Sequence, residues 1–139
     1  MTVIIDSNYI FALKAKRDKN HQRSLELMNE LKENYNKPII TNYLVISELL
    51  TLVNSRFKGN VYYLDEYFKL IWGDDNFFKI VQLIPEHYKE SYEILKKYAN
   101  PKRLLSFVDA SLIFLTKNVK ARVLLSFDNH FDGIISRLY

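Results

Sequence analysis

The chain has 139 residues, the length of one domain, and 48% of them are hydrophobic, enough for a core of its own. It has no cysteine, which excludes a disulfide framework, a thiolate metal site and a cysteine nucleophile. Twenty basic side chains against sixteen acids leave a modest +4, which suits either plain solubility or a polyanionic partner.

No apolar run reaches the roughly 18–20 residues that a membrane helix needs. The longest candidate, 104–115, is interrupted by Asp109. The opening MTVIID lacks the basic start and apolar middle of a signal peptide. These features predict a soluble, cytoplasmic protein of one domain, 1–139. Three glycines and three prolines leave no room for linkers or low-complexity segments.

Residues 2–5 are a short β-branched run, a buried strand, with Asp6 at its end. A short helix over 8–13 follows. Residues 14–23 are polar and strongly basic and read as a loop leading into a helix over about 20–35, where Leu25, Met28, Leu31 and Tyr35 recur at helical spacing. Residues 38–41 form a second strand, and Thr41 or Asn42 can cap the helix that runs to about 57. Gly59-Asn60 breaks the chain before a helix over 61–72. A third strand spans 77–83. Pro85 suits the first position of a helix over 85–98. After the Asn100-Pro101 break, Ser106 caps a helix over 107–118. A fourth strand over 121–126, a tight turn over 128–131 and a short last strand over 134–138 complete the chain. Strands alternating with helices predict an α/β fold, a three-layer α/β/α sandwich with right-handed crossovers. Such sheets bind ligands at the carboxyl ends of their strands.

That rule draws attention to four acids. Asp6 and Asp128 each end a strand, in TVIID and RVLLSFD. Asp109 lies three residues past the Ser106 cap, and Glu48 about two turns into its helix. Glu48 is the only charge in YLVISELLTLV, and Asp109 the only one in LLSFVDASLIFL. Carboxylates surrounded by apolar groups need a partner or shift towards the neutral form. Neither run contains a lysine or arginine, so a divalent cation is the natural partner. An all-oxygen donor set selects Mg²⁺ or Mn²⁺ over zinc. Each acid also has a plainer use. Asp109 can close a capping box with Ser106, Asp6 can cap the helix after it, Asp128 can shape a turn, and Glu48 can pair with a distant arginine. If the four acids do gather, twelve remain elsewhere and the remaining surface carries a surplus of eight positive charges.

VIIDSNYIFAL with Asp6, NYLVISELL with Glu48, LSFVDASLIFL with Asp109, and LLSFDNHF with Ser126, Asp128, His130 and Phe131 follow one another in an order and spacing that resembles the PIN-domain ribonuclease family, and within it the VapC-like toxins of prokaryotes. The resemblance runs through nearly the whole chain. It implies a five-stranded parallel sheet flanked by helices and RNA cleavage dependent on one or two Mg²⁺ or Mn²⁺ ions. It also implies a homodimer and, for toxins, an antitoxin whose tail fills the active-site groove. One departure is the unusually aromatic helix 61–72, with Tyr62, Tyr63, Tyr67, Phe68, Ile71 and Trp72, which either supplies the dimer surface or belongs to the core.

On this reading Asp6, Asp109 and Asp128 are the principal metal ligands, and Glu48 is a ligand directly or through water. Ser7 and Ser126 are candidates to orient the carboxylates. His130 could act as a general acid or simply face solvent. Lys14, Lys16, Arg17, Lys19 and Arg23 are candidate contacts for RNA phosphates, or merely a solvated loop. The rival chemistry of an aspartyl nucleophile wants a second aspartate two residues after the first, where this chain has Asn8. A non-catalytic binding module would be expected to lack one of the acids, and none is missing.

Overall fold

The first strand, β1 (Val3–Ile5), is buried on both faces, as a central parallel strand must be. The computed structural model describes residues 2–34 and 38–139. Beside β1 lie β2 (Ile39–Asn42) on one side and β4 (Val123–Leu125) on the other, with Val3 opposite both Ile39 and Val123. The edges are β3 (Lys79–Val81) and β5 (Arg137–Leu138). The order is β3-β2-β1-β4-β5 and every pairing is parallel, giving the predicted five-stranded α/β/α sandwich.

The chain builds outwards from β1 through β2 to β3, then returns to the other side of β1 to make β4 and β5. The switch in direction therefore falls between β1 and β4, where open parallel sheets leave a crevice at their carboxyl edge. Asp6 and Asp128 follow those two strands.

Among the described residues six helices flank the sheet: α1 (Ser7–Lys14), α2 (His21–Asn34), α3 (Tyr43–Arg56), α4 (Val61–Trp72), α5 (Pro85–Tyr98) and α6 (Phe107–Asn118). Helix α1 packs on α2 and α3, α3 on α4 and α6, and α5 on α6. Helix α6 is buried all the way from Asp109 to Thr116, which its nearly uncharged sequence anticipates. Asn42 is the cap of α3, its side chain accepting from the amides of Leu44 and Val45. No helix among the described residues is long and apolar enough to cross a membrane.

Several boundaries differ from the sequence reading. The predicted loop 14–23 is shorter: Lys14 ends α1, and His21 already begins α2, so Arg23 is helical. Tyr35, the end expected for α2, lies outside the described residues. The third strand narrows to Lys79–Val81, an edge strand paired on one side only. The last strand narrows to Arg137–Leu138, because the amides of Ile134 and Ile135 turn back to the carbonyl of Phe131.

Candidate active site

Asp6 leaves β1 with its backbone amide still bonded to the carbonyl of Leu125 at 3.0 Å, which holds it against the end of β4. Its side chain then caps α1, accepting from the Ser7 amide at 2.7 Å. The other carboxylate oxygen accepts from the Ser126 hydroxyl at 2.7 Å and from the Asn8 amide group at 3.3 Å. The Ser7 hydroxyl donates to Glu48, so one serine links two of the acids across 41 residues of sequence. Both serines singled out in the sequence thus lie on the carboxylates.

Asp109 closes the capping box: its amide donates to the Ser106 hydroxyl and its carboxylate accepts from the Ser106 amide, each at 3.0 Å. Asp128 caps a 3₁₀ turn, Asn129–Phe131, accepting from the His130 amide at 2.9 Å. Three of the plainer readings are therefore correct, and they coexist with a shared site. The fourth is not: among the described residues no arginine or lysine forms an ion pair with Glu48.

Electrostatics show how tightly the acids are grouped. Burial pushes the Asp6 carboxyl up to about 7, against the hydrogen bond from Ser126, and the charges of Asp109 and Glu48 push the same way. Glu48 is raised by burial and by Asp109 and Asp128, and Asp109 by burial and by Asp128. Each of the four acids is thus within electrostatic reach of at least two others.

The residues fit a divalent ion. Ligand atoms of Asp109, Asp128 and His130 lie within 4.8 Å of one another. The Nδ1 atom of His130 is buried and has no hydrogen-bond partner, although it stands 3.3 Å from Asp128 Oδ2 and 3.6 Å from Asp109 Oδ2. Among the described residues that histidine is the only ionisable base paired with the four acids. A site with converging acceptors and so little positive charge suits a cation.

Two supporting residues escaped the sequence reading. Asn8 served there only to argue against an aspartyl nucleophile. In the structure its carbonyl oxygen accepts from the Phe127 amide at 3.0 Å, and its amide group donates to Ser126 at 3.2 Å, tying α1 to the turn after β4. Arg137 donates to the Ser126 carbonyl at 3.1 Å and forms a two-pronged pair with Asp132 at 2.9 and 3.1 Å. Asn8 is detectable only as a polar residue two positions after a strand-end acid. Arg137 has no local sequence signal at all.

The basic candidates divide. Lys16, Arg17 and Lys19 are exposed. They line a groove of about 990 Å³ together with Arg56, Phe57, Tyr62 and Tyr63. Lys14 lies in the same groove but 3.9 Å from both Glu66 and Asp75. Arg23 is engaged by Glu30 at 3.0 Å, by Glu26 at 3.4 Å and by the Tyr139 carbonyl. Asp6 caps one end of α1 and Lys14 ends it, so these two residues stand about 12 Å apart along the helix at 1.5 Å per residue.

No curated protein matches the chain in sequence. Solved structures do match in fold. VapC20 of Mycobacterium tuberculosis, described as a Sarcin-Ricin loop cleaving toxin, is 18% identical with a TM-score of 0.75 over 96% of each chain. VapBC2 of Rickettsia felis, solved on a DNA fragment from its promoter, is 16% identical with a TM-score of 0.66, covering 99% of this chain and 98% of that one. FitAcB of Neisseria gonorrhoeae is 12% identical with a TM-score of 0.67, covering 99% and 96%. The PIN domain family model matches residues 3–134, a span that contains all four acids. The chain belongs to the PIN domain family, whose members are nucleases.

Proposed function

We propose that this PIN nuclease is a metal-dependent endoribonuclease and the toxin of a VapBC-like toxin–antitoxin pair. The observation that carries the reading is the gathering of Asp6, Glu48, Asp109 and Asp128 at the β1–β4 crevice. Asp6, Asp109 and Asp128 would hold one or two Mg²⁺ or Mn²⁺ ions, with Glu48 a ligand directly or through water. Such an ion lowers the pKa of its water from about 15.7 towards neutrality and offsets charge on the phosphoryl oxygens. The chain's own residues set the stage. Ser7 and Ser126 donate to the carboxylates and fix which lone pairs face the crevice. Asn8 and Arg137 hold Ser126 from two sides, and the burial of Asp6 and Asp109 keeps bulk water from competing for them.

RNA as substrate is supported by the exposed cations of the groove and by the likeness to VapC20, a Sarcin-Ricin loop cleaving toxin. A single strand or loop can splay into such a groove, whereas a duplex hides its base edges. The same likeness, with that to VapBC2, supports an antitoxin partner. The test is incubation of purified protein with labelled stem-loop RNA in Mg²⁺, Mn²⁺ or chelator. Cleavage in either metal, abolished by chelator, is expected. Cleavage that resists chelation would overturn the reading. For the toxin role, induced expression should arrest growth, and Asp6→Asn should not; equal growth in both would remove it.

A further inference from the structure

The turn after β4 places a nitrogen among the carboxylates. Asp128 caps that turn, Phe131 anchors it as a fully buried side chain, and His130 between them has little freedom. The outer part of the His130 ring meets solvent, its side chain being 37% exposed, while Nδ1 is buried and directed at Asp109 and Asp128. Nδ1 makes no hydrogen bond to either oxygen. A cation shared by the three groups would satisfy the buried nitrogen and both carboxylates together. The separations suit that arrangement: at bonds of about 2.1 Å, neighbouring ligands on an octahedral ion stand about 3 Å apart, close to the observed 3.3 and 3.6 Å.

We propose that His130 Nδ1 is a ligand to the ion held by Asp109 and Asp128, and that this nitrogen tilts the site towards Mn²⁺ over Mg²⁺. The inference rests on the metal-nuclease reading above. Mg²⁺ seeks oxygen ligands and retains its waters, whereas first-row transition ions accept imidazole more readily. The donor set is therefore not the all-oxygen one that the four acids alone suggest. The other two histidines are occupied elsewhere, His21 at the Ala12 carbonyl and His87 at the Ile84 amide, and do not compete for the role.

The experiment uses the untagged full chain and the metals alone. Pulsed electron paramagnetic resonance of bound Mn²⁺ reads nitrogen coupling, and competition titration gives the ratio of Mn²⁺ to Mg²⁺ affinity. Wild type should show coupling to one imidazole nitrogen. His130→Ala should lose it, and its affinity ratio should fall about tenfold, the low end of what disturbing a metal site's surroundings costs. Mn²⁺ bound without nitrogen coupling would overturn the role of His130 and leave the carboxylate site standing. Failure of wild type to bind Mn²⁺, or undiminished binding in Asp109→Asn, would overturn both. If His130→Ala does not fold, the wild-type spectrum alone decides.

Discussion

Asp6 is 2% exposed and shares its surroundings with Asp109 and Glu48, so ionising it without a counter-charge costs stability. Its folded pKa of about 7 lies above the ordinary 3.8. Below the lower value both folded and unfolded chains carry the proton. Between the two the unfolded chain releases it first, so stability falls as pH rises, and the full cost is present above about 7. At 1.36 kcal/mol per unit this is on the order of 4 kcal/mol. The metal-free protein should therefore melt at a higher temperature at pH 5 than at pH 8, and Asp6→Asn should flatten that dependence. Melts in chelator check it; a wild type that gains stability from pH 5 to pH 8 would refute it. Ser126→Ala removes a donor from Asp6 and should weaken Mn²⁺ binding about 10–100-fold, read by titration calorimetry. Glu48 and Asp109 were conspicuous in the sequence as lone charges in apolar runs, and Asp6 and Asp128 as acids that end strands. Their supports were not. Asn8 meets Phe127 across 119 residues, and nothing local to either reveals the contact.

At the level of elements, strong apolar patterns were read well and edges poorly. The central strands and α3 to α6 stand within a residue or two of expectation, since burial and caps fix them. The edge strands β3 and β5 are shorter than their apolar runs, because pairing on one side leaves the remaining residues free to pack in turns. Helix α4 divides its apolar side chains between the core and the surface. Tyr67, Leu70 and Ile71 are core, and the Tyr67 hydroxyl donates to the Phe11 carbonyl, while Tyr62, Phe68 and Trp72 are exposed. The α1–α2 segment belongs to the same scale. With Lys14 and Arg23 engaged by acids, Lys16, Arg17 and Lys19 are the cations available to phosphate. Binding of RNA by the Asp6→Asn protein should weaken linearly in log–log form with salt, by about 0.7 per neutralised phosphate. Replacing Lys16, Arg17 and Lys19 with alanine should flatten the slope without changing metal affinity. An unchanged slope would clear the groove of a role.

The whole molecule carries +4; the switch point of the sheet collects acids while the groove beside α1 presents cations, a division that on the proposed function would separate attraction of substrate from chemistry. The α/β alternation made the sandwich readable, but the strand order that brings Asp128 next to Asp6 comes from long-range pairing, which no short window of sequence contains. The exposed Tyr62, Phe68 and Trp72 of α4, with Val61, favour a homodimer through this helix. Light scattering over a dilution series should show twice the monomer mass at high concentration, and Phe68→Glu with Trp72→Glu should give monomer throughout. Wild type that is monomeric at every concentration would remove the claim. The proposed function requires that the four acids form one metal-dependent centre. Its most direct test measures cleavage of labelled RNA in Mn²⁺ by wild type, Asp6→Asn, Asp109→Asn and Asp128→Asn, each confirmed folded by a cooperative melt. Losses of orders of magnitude are expected in every amide variant while the melts remain intact, with Glu48→Gln also impaired; such a result bears the single centre out. Wild-type rates in any two of the aspartate variants would contradict it.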